Sequence, residues 1–296
     1  MQQSPLDPDK VMLDFDVAQW IGKTGTPVSD SVTAAPYAAL SATLDRPSDV
    51  PPAGTPLPPL WHWLYFLPIH PRSDLGPDGH PKRGGFLPPV ALPRRMWGGR
   101  QFQFISPIRI GDRITRTSTI ADVRQKEGRT GPLVLVKVRH EVRRATEAAP
   151  VMVELQDIIY RDAAKPGDTS SPPNAPTLAA DWRRRCIADD VLLFRFSALT
   201  FNAHRIHYDR RYATEVEGYP GLVVQGPLTA ILLLDMLREM LPDTTVRGCE
   251  FRARRPLYDN KAFDLCGARA ADGERVELWA VDHEGFVTME AVVELA

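Results

Sequence analysis

Phe194-Arg195-Phe196-Ser197-Ala198-Leu199-Thr200-Phe201-Asn202-Ala203-His204-Arg205-Ile206-His207-Tyr208-Asp209 is the stretch from which the rest of the chain is read. An alternating apolar run, Leu192, Phe194, Phe196, ends in a polar cluster that packs an amide, two histidines, an arginine and a carboxylate into a few positions. Further on, Gln225-Gly226-Pro227 opens an apolar segment, Leu228 to Leu241, with helical periodicity and no breaker. Proline is at home in a first helical turn, which sets the boundary. An imidazole titrates near neutral pH, and a glycine amide at a helix start favours negative charge. Together they point to a proton-transfer group beside an oxyanion site. Each residue also has an ordinary reading: His207 as a buried, hydrogen-bonded histidine, Asn202 as a turn former, Gly226 as a turn glycine.

Downstream the pattern is β. Cys249 to Arg255 reads as a strand entering Pro256. Ala262 to Ala270 and Glu274 to Asp282 flank the hairpin signal Asp272-Gly273, and Phe286 to Leu295 closes the set. Upstream the same order recurs. Phe102 and Phe104 lead through Pro107 to Gly111-Asp112, followed by Ile114 to Val123, Leu133 to Arg143 and Val151 to Tyr160. In Leu133 to Arg143, Val134, Val136, Val138, His140 and Val142 alternate with Lys137, Arg139, Glu141 and Arg143, so one face is buried and one wet. Gln101 to Phe104 is matched with Cys249 to Arg252. The expectation is two copies of one α+β unit, each a helix wrapped by an antiparallel sheet. The boundaries are residues 1–164, a proline-rich linker at 165–180, and residues 181–296.

The copies are unequal. Of 28 prolines, 13 lie between Pro47 and Pro93, which makes that region mostly loop. Inside it, Trp61 to Leu67 reads as a strand or a packed aromatic segment. The region Gly84 to Trp97, taken as the counterpart of the later helix, is broken by Pro88, Pro89 and Pro93. A short helix is expected near Phe15–Ile21, and a short or interrupted one in Ser29–Leu44, which contains Pro36. The first copy is therefore expected to have lost chemistry and to form a pocket wall.

Composition excludes several classes. With 43% hydrophobic and 25% charged residues the chain suits a soluble globular fold. A net charge of −1 gives no footprint for nucleic acid. No apolar run approaches the roughly 20 residues that span a bilayer. Cys186, Cys249 and Cys266 form no close-spaced metal pattern, and sparse, odd thiols suit a reducing compartment. The first residues lack the basic start and apolar core of a signal peptide. The expected setting is cytoplasmic, without membrane or nucleic-acid partner.

The motif resembles that of the MaoC-like hot-dog hydratases and dehydratases, whose usual form is aromatic-x-Ser-Gly-Asp-x-Asn-Pro-Ile/Leu-His-x-Asp, followed by His-Gly at a long helix. Aligned on His207, Asn202 stands for the usual Asp, His204 for Asn, Arg205 for Pro, Thr200-Phe201 for Ser-Gly, and Gln225 for the His before Gly226. The wording is similar to the subgroup of mesaconyl-C4-CoA hydratases, itaconyl-CoA hydratases and type 2 hydroxyacyl-thioester dehydratases, over nearly the whole chain. The resemblance implies a double hot-dog fold and a cofactor-free hydro-lyase. It would add water to an unsaturated acyl-CoA, with mesaconyl-C4-CoA or itaconyl-CoA giving citramalyl-CoA.

Such a reaction needs an oxyanion donor, a base for the water and a proton for the α-carbon. His207, Asn202 and Gly226 are the expected catalytic residues: His207 moves protons, Asn202 positions water, and Gly226 donates to the carbonyl oxygen. Arg205, Gln225, His204 and Tyr208 are expected at the substrate, with Arg205 as partner for an acyl carboxylate or a surface contact to CoA phosphates. His204 and His207 have a metal-like spacing, but no third ligand is evident and none is expected. A monomer and a homodimer both fit. The alternatives are a 3-hydroxyacyl-thioester dehydratase of fatty-acid synthesis, an acyl-CoA thioesterase, and a non-enzymatic binding subunit.

Overall fold

The computed structural model describes residues 15–47, 49–82, 85–128, 131–162 and 174–296. The proposed linker at 165–180 and the first fourteen residues lie largely outside these. Among the described residues, ten strands form one continuous antiparallel sheet. In chain order they are β1 (Val28–Ser31), β2 (Arg94–Phe104), β3 (Arg113–Gly128), β4 (Gly131–Arg144), β5 (Met152–Arg161), β6 (Trp182–Ile187), β7 (Val246–Ala253), β8 (Ala262–Arg269), β9 (Arg275–Val281) and β10 (Val287–Leu295). Their spatial order is β1-β3-β4-β5-β2-β7-β10-β9-β8-β6. The two halves meet where β2 pairs with β7, from Gly99 opposite Arg252 to Gln103 opposite Gly248. The outer margins are β1, four residues long, and β6, which carries Arg183, Arg184 and Arg185. This is a double hot-dog fold of the α+β class.

The α-helices of the described residues are α1 (Ala34–Thr43), α2 (Asp190–Leu199) and α3 (Gly226–Met240). Pro36 does not interrupt α1, because it stands in the first turn, where its missing N–H has no intrahelical acceptor to lose. The alternation at Leu192, Phe194 and Phe196 belongs to helix α2, not to a strand. Leu193, Phe196 and Ser197 form its buried face, and Phe194 points outward. The expected helix at Phe15–Ile21 is a 3-10 turn, Val17–Gln19, and Trp61–Leu64 is another 3-10 turn packed in the core. From Leu228 to Leu237 every residue of α3 is buried, and the helix packs on β8, β9 and β10.

The internal repeat can be read from the ladders. Arg116 faces Val142, which faces Met152; in the second copy Leu265 faces Ala280, which faces Met289. Phe102 opposite Glu154 corresponds to Phe251 opposite Ala291. The match drawn from sequence between 101–104 and 249–252 is therefore off by one residue, since the inward phenylalanines must coincide. Backbone bonds also relocate the lost helix. Leu57 N donates to Ile108 O at 2.8 Å, and Val224 N donates to Leu257 O at 2.8 Å. The counterpart of α3 therefore begins just after Leu57, not at Gly84. It shrinks to the Trp61–Leu64 turn, bracketed by Pro58, Pro59 and Pro68.

Candidate active site

Helix α2 delivers the motif. Asp189 caps its start by accepting from Leu192 N at 2.8 Å. After the helix ends at Thr200, Phe201 sits at φ 50°, a left-handed conformation that glycine adopts more readily. That reversal turns the chain into the Asn202–His207 segment. Asn202 Oδ1 accepts from His204 N at 3.1 Å, so its side chain forms the turn expected as the ordinary reading. His207 ends the 3-10 turn Arg205–His207 and is buried.

The His207 ring is fixed by the strand-like segment before α3. Its Nδ1 lies 2.7 Å from Val223 O, and a carbonyl only accepts, so Nδ1 carries the hydrogen and Nε2 keeps its lone pair. Val223 N donates back to Ile206 O at 3.0 Å. The carbonyl is held in turn by buried Asp259, which accepts from Leu222 N at 2.8 Å and pairs with Arg210 at 2.5 Å. Burial pushes the His207 imidazole down to about 4, a drop the Val223 hydrogen bond partly opposes and the neighbouring His80 adds to. The ring is therefore neutral at pH 7 and able to accept a proton.

Gly226 is the first residue of α3, and Gln225 is its N-cap. The Gly226 N–H is one of the donors that a helix start leaves without an internal acceptor. Val223 and Gly226 are three residues apart, so this amide lies within about 10 Å of the carbonyl that holds His207. The indole of Trp97, on β2, covers Gly226: an added Cβ would come within 3.1 Å of Cε3.

Three expected substrate contacts are used otherwise. Arg205 donates to Asp209 Oδ2 from Nε and Nη2 at 3.0 and 2.7 Å and to Pro77 O at 3.0 Å, and it stacks on Tyr212 at 4.1 Å. Three of its five N–H groups go to these structural partners, which ties the guanidinium to the turn. Gln225 is 1% exposed and turns away into α2, donating to Leu193 O and Ser197 Oγ at 3.0 and 2.9 Å. Tyr208 is half exposed and its hydroxyl donates to Ala203 O at 3.0 Å.

Sequence reasoning missed a contribution from the first copy. The loop Gly76–His80 lies directly on the motif: Arg205 N donates to Asp78 O at 2.9 Å. The approach is so close that a Cβ on Gly79, at φ 88°, would meet Ala203 O at 1.8 Å. His80 stacks on His204 with ring centres 3.9 Å apart, and His204 meets His207 edge-on at 5.3 Å. His80 Nδ1 and Asp78 Oδ2 are 3.1 Å apart. That hydrogen bond holds Asp78 down at about 2, while burial, with His80 and His207 beside it, holds His204 down to about 2. Asp78, His80 and His204 each offer one ligand atom, all within 4.8 Å of one another; two of these three metal-capable groups come from this loop, and His207, which the sequence paired with His204, is not among them. The only sequence signal was two glycines, Gly76 and Gly79, among the prolines.

A family model described as hydroxyacyl-thioester dehydratase type 2 matches residues 60–259. The chain is 45% identical over 284 residues to the mesaconyl-C(4)-CoA hydratase of Chloroflexus aurantiacus, covering 96% of this chain and 99% of that protein. It is 27% identical over 237 residues to the mitochondrial hydroxyacyl-thioester dehydratase type 2 of Schizosaccharomyces pombe, covering 72% of this chain and 78% of that one. A MaoC-like dehydratase from Phytophthora capsici superposes with a TM-score of 0.67 at 13% identity, over 95% of this chain and 97% of that one, which is a likeness of fold. Among the described residues no helix is long and apolar enough to cross a membrane.

Proposed function

The chain belongs to the hydroxyacyl-thioester dehydratase type 2 family, and from that premise we propose that it is a hydro-lyase adding water to a short unsaturated acyl-CoA with a free carboxylate. Mesaconyl-C4-CoA, giving citramalyl-CoA, is the substrate that the 45% identical relative suggests. The observation that carries the reading is His207: a buried imidazole, locked by Val223 into the tautomer with a free Nε2.

The thioester carbonyl docks on the Gly226 N–H at the start of α3, where the helix dipole favours charge developing on oxygen. Water, held between His207 Nε2 and the Asn202 amide N–H, loses a proton to Nε2 as its oxygen attacks the β-carbon. The enolate then takes a proton at the α-carbon, which returns His207 to neutrality. Dehydration runs the same steps backwards. Arg205 and Asp209 brace the turn, and the His80–His204 stack walls the site from the first copy's side.

The 3-hydroxyacyl-thioester dehydratase reading is favoured by the yeast relative. A substrate panel separates the two, because hydration confined to carboxylated acyl groups excludes a fatty-acid role. The direct test is His207→Gln, which keeps a polar side chain of similar reach but cannot shuttle the proton. Enoyl absorbance and product mass are followed with the thioester intact. General acid–base catalysis contributes about 10²–10⁴-fold, so kcat falls by that range with an unchanged thermal transition. Turnover within threefold of the parent refutes the role of His207.

A further inference from the structure

The two copies place opposite chemistry at the same positions of the same sheet. In the second copy, Cys249, Leu265, Leu278, Ala291 and Val293 line the inner face, all buried. The ladder correspondence puts Arg100, Arg116, His140, Glu154 and Gln156 at those positions in the first copy. The fold does not need this polarity, since the second copy builds the same layer from apolar side chains.

These five residues surround a cavity of about 270 Å³. All but Arg100 sit on the strands β3, β4 and β5, which correspond to those carrying α3 in the second copy. The shortened turn at Trp61–Leu64 leaves that space open, and His62, Trp63, Tyr65 and Phe66 close it from the other side. The volume suits the end of a small acyl group rather than a whole CoA.

Inside the cavity, cationic and N–H donor capacity exceeds acceptor capacity. Glu154, 3% exposed, is the one carboxylate on its wall, and it is taken by Arg100 Nη1, with His62 Nε2 at 3.4 Å. Arg116 has no ion pair among the described residues; its guanidinium lies over the Phe66 ring at 5.1 Å. Trp63 Nε1, Arg100 Nε and Arg116 Nε are all buried without a hydrogen-bond partner. His140 is already saturated, between Ser118 Oγ at 2.7 Å and Gln156 Oε1 at 3.1 Å. Burial, with the two arginines beside them, pushes His62 and His140 down to about 3, so both are neutral and one positive charge is left over. Arg116 is half-buried, and a cation partly withdrawn from water without a partner is costly; an anion bound here removes that cost.

Strand β2 links the cavity to the start of α3. Trp97 and Arg100 share the inner face of β2, with a bulge between Trp97 and Gly99, about 7 Å apart along the strand. Trp97 covers Gly226, and its own Nε1 is buried and unpartnered. One strand, β2, therefore carries both the indole that covers Gly226 and the arginine on the cavity wall.

We propose that Arg116, with Arg100 and the Trp63 indole N–H, binds the free carboxylate of the acyl group and so selects carboxylated over plain enoyl-CoAs. The inference rests on the hydratase reading above and replaces Arg205, whose guanidinium is held by Asp209 and Pro77, as the recognition group. A planar guanidinium with unused donors suits a carboxylate.

The test measures kcat/KM for mesaconyl-C4-CoA and for crotonyl-CoA in the parent, Arg116→Met and Arg116→Lys, with products read by mass. The quantity of interest is the ratio of the two. Losing a charge-assisted contact lowers that ratio by about 30-fold in Arg116→Met. Arg116→Lys, which keeps the charge but not the fork, falls between, and it decides the matter should the methionine variant not fold. A ratio unchanged in both variants, with equal losses on both substrates, overturns the proposal and moves the arginine to the phosphates of CoA or to the fold alone. A parent enzyme that hydrates neither substrate defeats the hydratase reading itself.

Discussion

Gly79→Ala tests whether the first copy's loop belongs to the catalytic machinery. Gly79 has φ 88°, and a Cβ added there falls 1.8 Å from Ala203 O and 2.7 Å from Ala203 C. Contacts under 3.0 Å are not tolerated, so the loop must retreat from the motif by at least about 1.2 Å. The bond from Arg205 N to Asp78 O, now 2.9 Å, does not survive that retreat. Its loss contributes about 1 kcal/mol, and a non-glycine residue in the left-handed region adds about 1–2 kcal/mol. Together, about 2–3 kcal/mol against the seated loop leaves roughly 30- to 150-fold fewer molecules with His80 stacked on His204. Gly54→Ala is the control: φ is 86° there too, yet nothing lies within 4 Å of the added carbon. The assay is kcat/KM for the unsaturated thioester beside thermal melting of both variants. Gly79→Ala is expected to lose at least tenfold in kcat/KM, and Gly54→Ala to lose stability alone. Equal activity in the two variants refutes the claim that the loop shapes the site.

The depressed histidines offer two further checks. With His207 held at about 4, the acid limb of kcat/KM should show one ionisation near pH 4, well below that of a free imidazole; two comparable ionisations would mean that a second group shares the proton. His62, His140 and His204 are depressed as well, so between about pH 6.5 and 3 the unfolded chain binds protons that the folded one refuses. Stability present above pH 6.5 is then lost on acidification at about 1.4 kcal/mol per pH unit for each histidine, and proton uptake on unfolding near pH 5 measures it. Arg205→Ala removes the braces to Asp209 and Pro77 and should lower kcat/KM for carboxylated and plain substrates by the same factor; a loss confined to carboxylated substrates would restore Arg205 as the recognition group.

The parts of the candidate site that were legible in the sequence are local. His207, Asn202 and Gly226 lie in one short motif and at one helix start, where residue type and spacing carry the message. The wet and buried faces of β4 were legible too, because a strand repeats every second residue. What was hidden depends on pairing between distant segments. Asp78 and His80 come from a proline-rich loop with no periodicity, and only the approach of Gly79 to Ala203 brings them to His204. Arg100, Arg116 and Glu154 are far apart in sequence, and nothing local says that they share one cavity. The motif segment itself was misleading at Phe194, since an alternation over three residues is compatible with a helix, and α2 exposes that ring. Arg205 and Gln225 stood at the right positions in sequence, but nearby acceptors had already taken their donors.

A sheet that ends in open strands offers its unpaired backbone to any chain that drifts past. Both margins of this one are poor templates for such growth. The outermost strand on one side, β1, offers four residues, too few for a stable new ladder. On the other, Arg183 and Arg185 stand exposed on β6, Arg183 reaching back to Asp264 at 3.1 Å, so an incoming copy would set like charges against each other. The protein can therefore carry ten hydrogen-bonded strands and still resist edge-to-edge aggregation, and neutralising those two arginines is the shortest route to making it stick to itself.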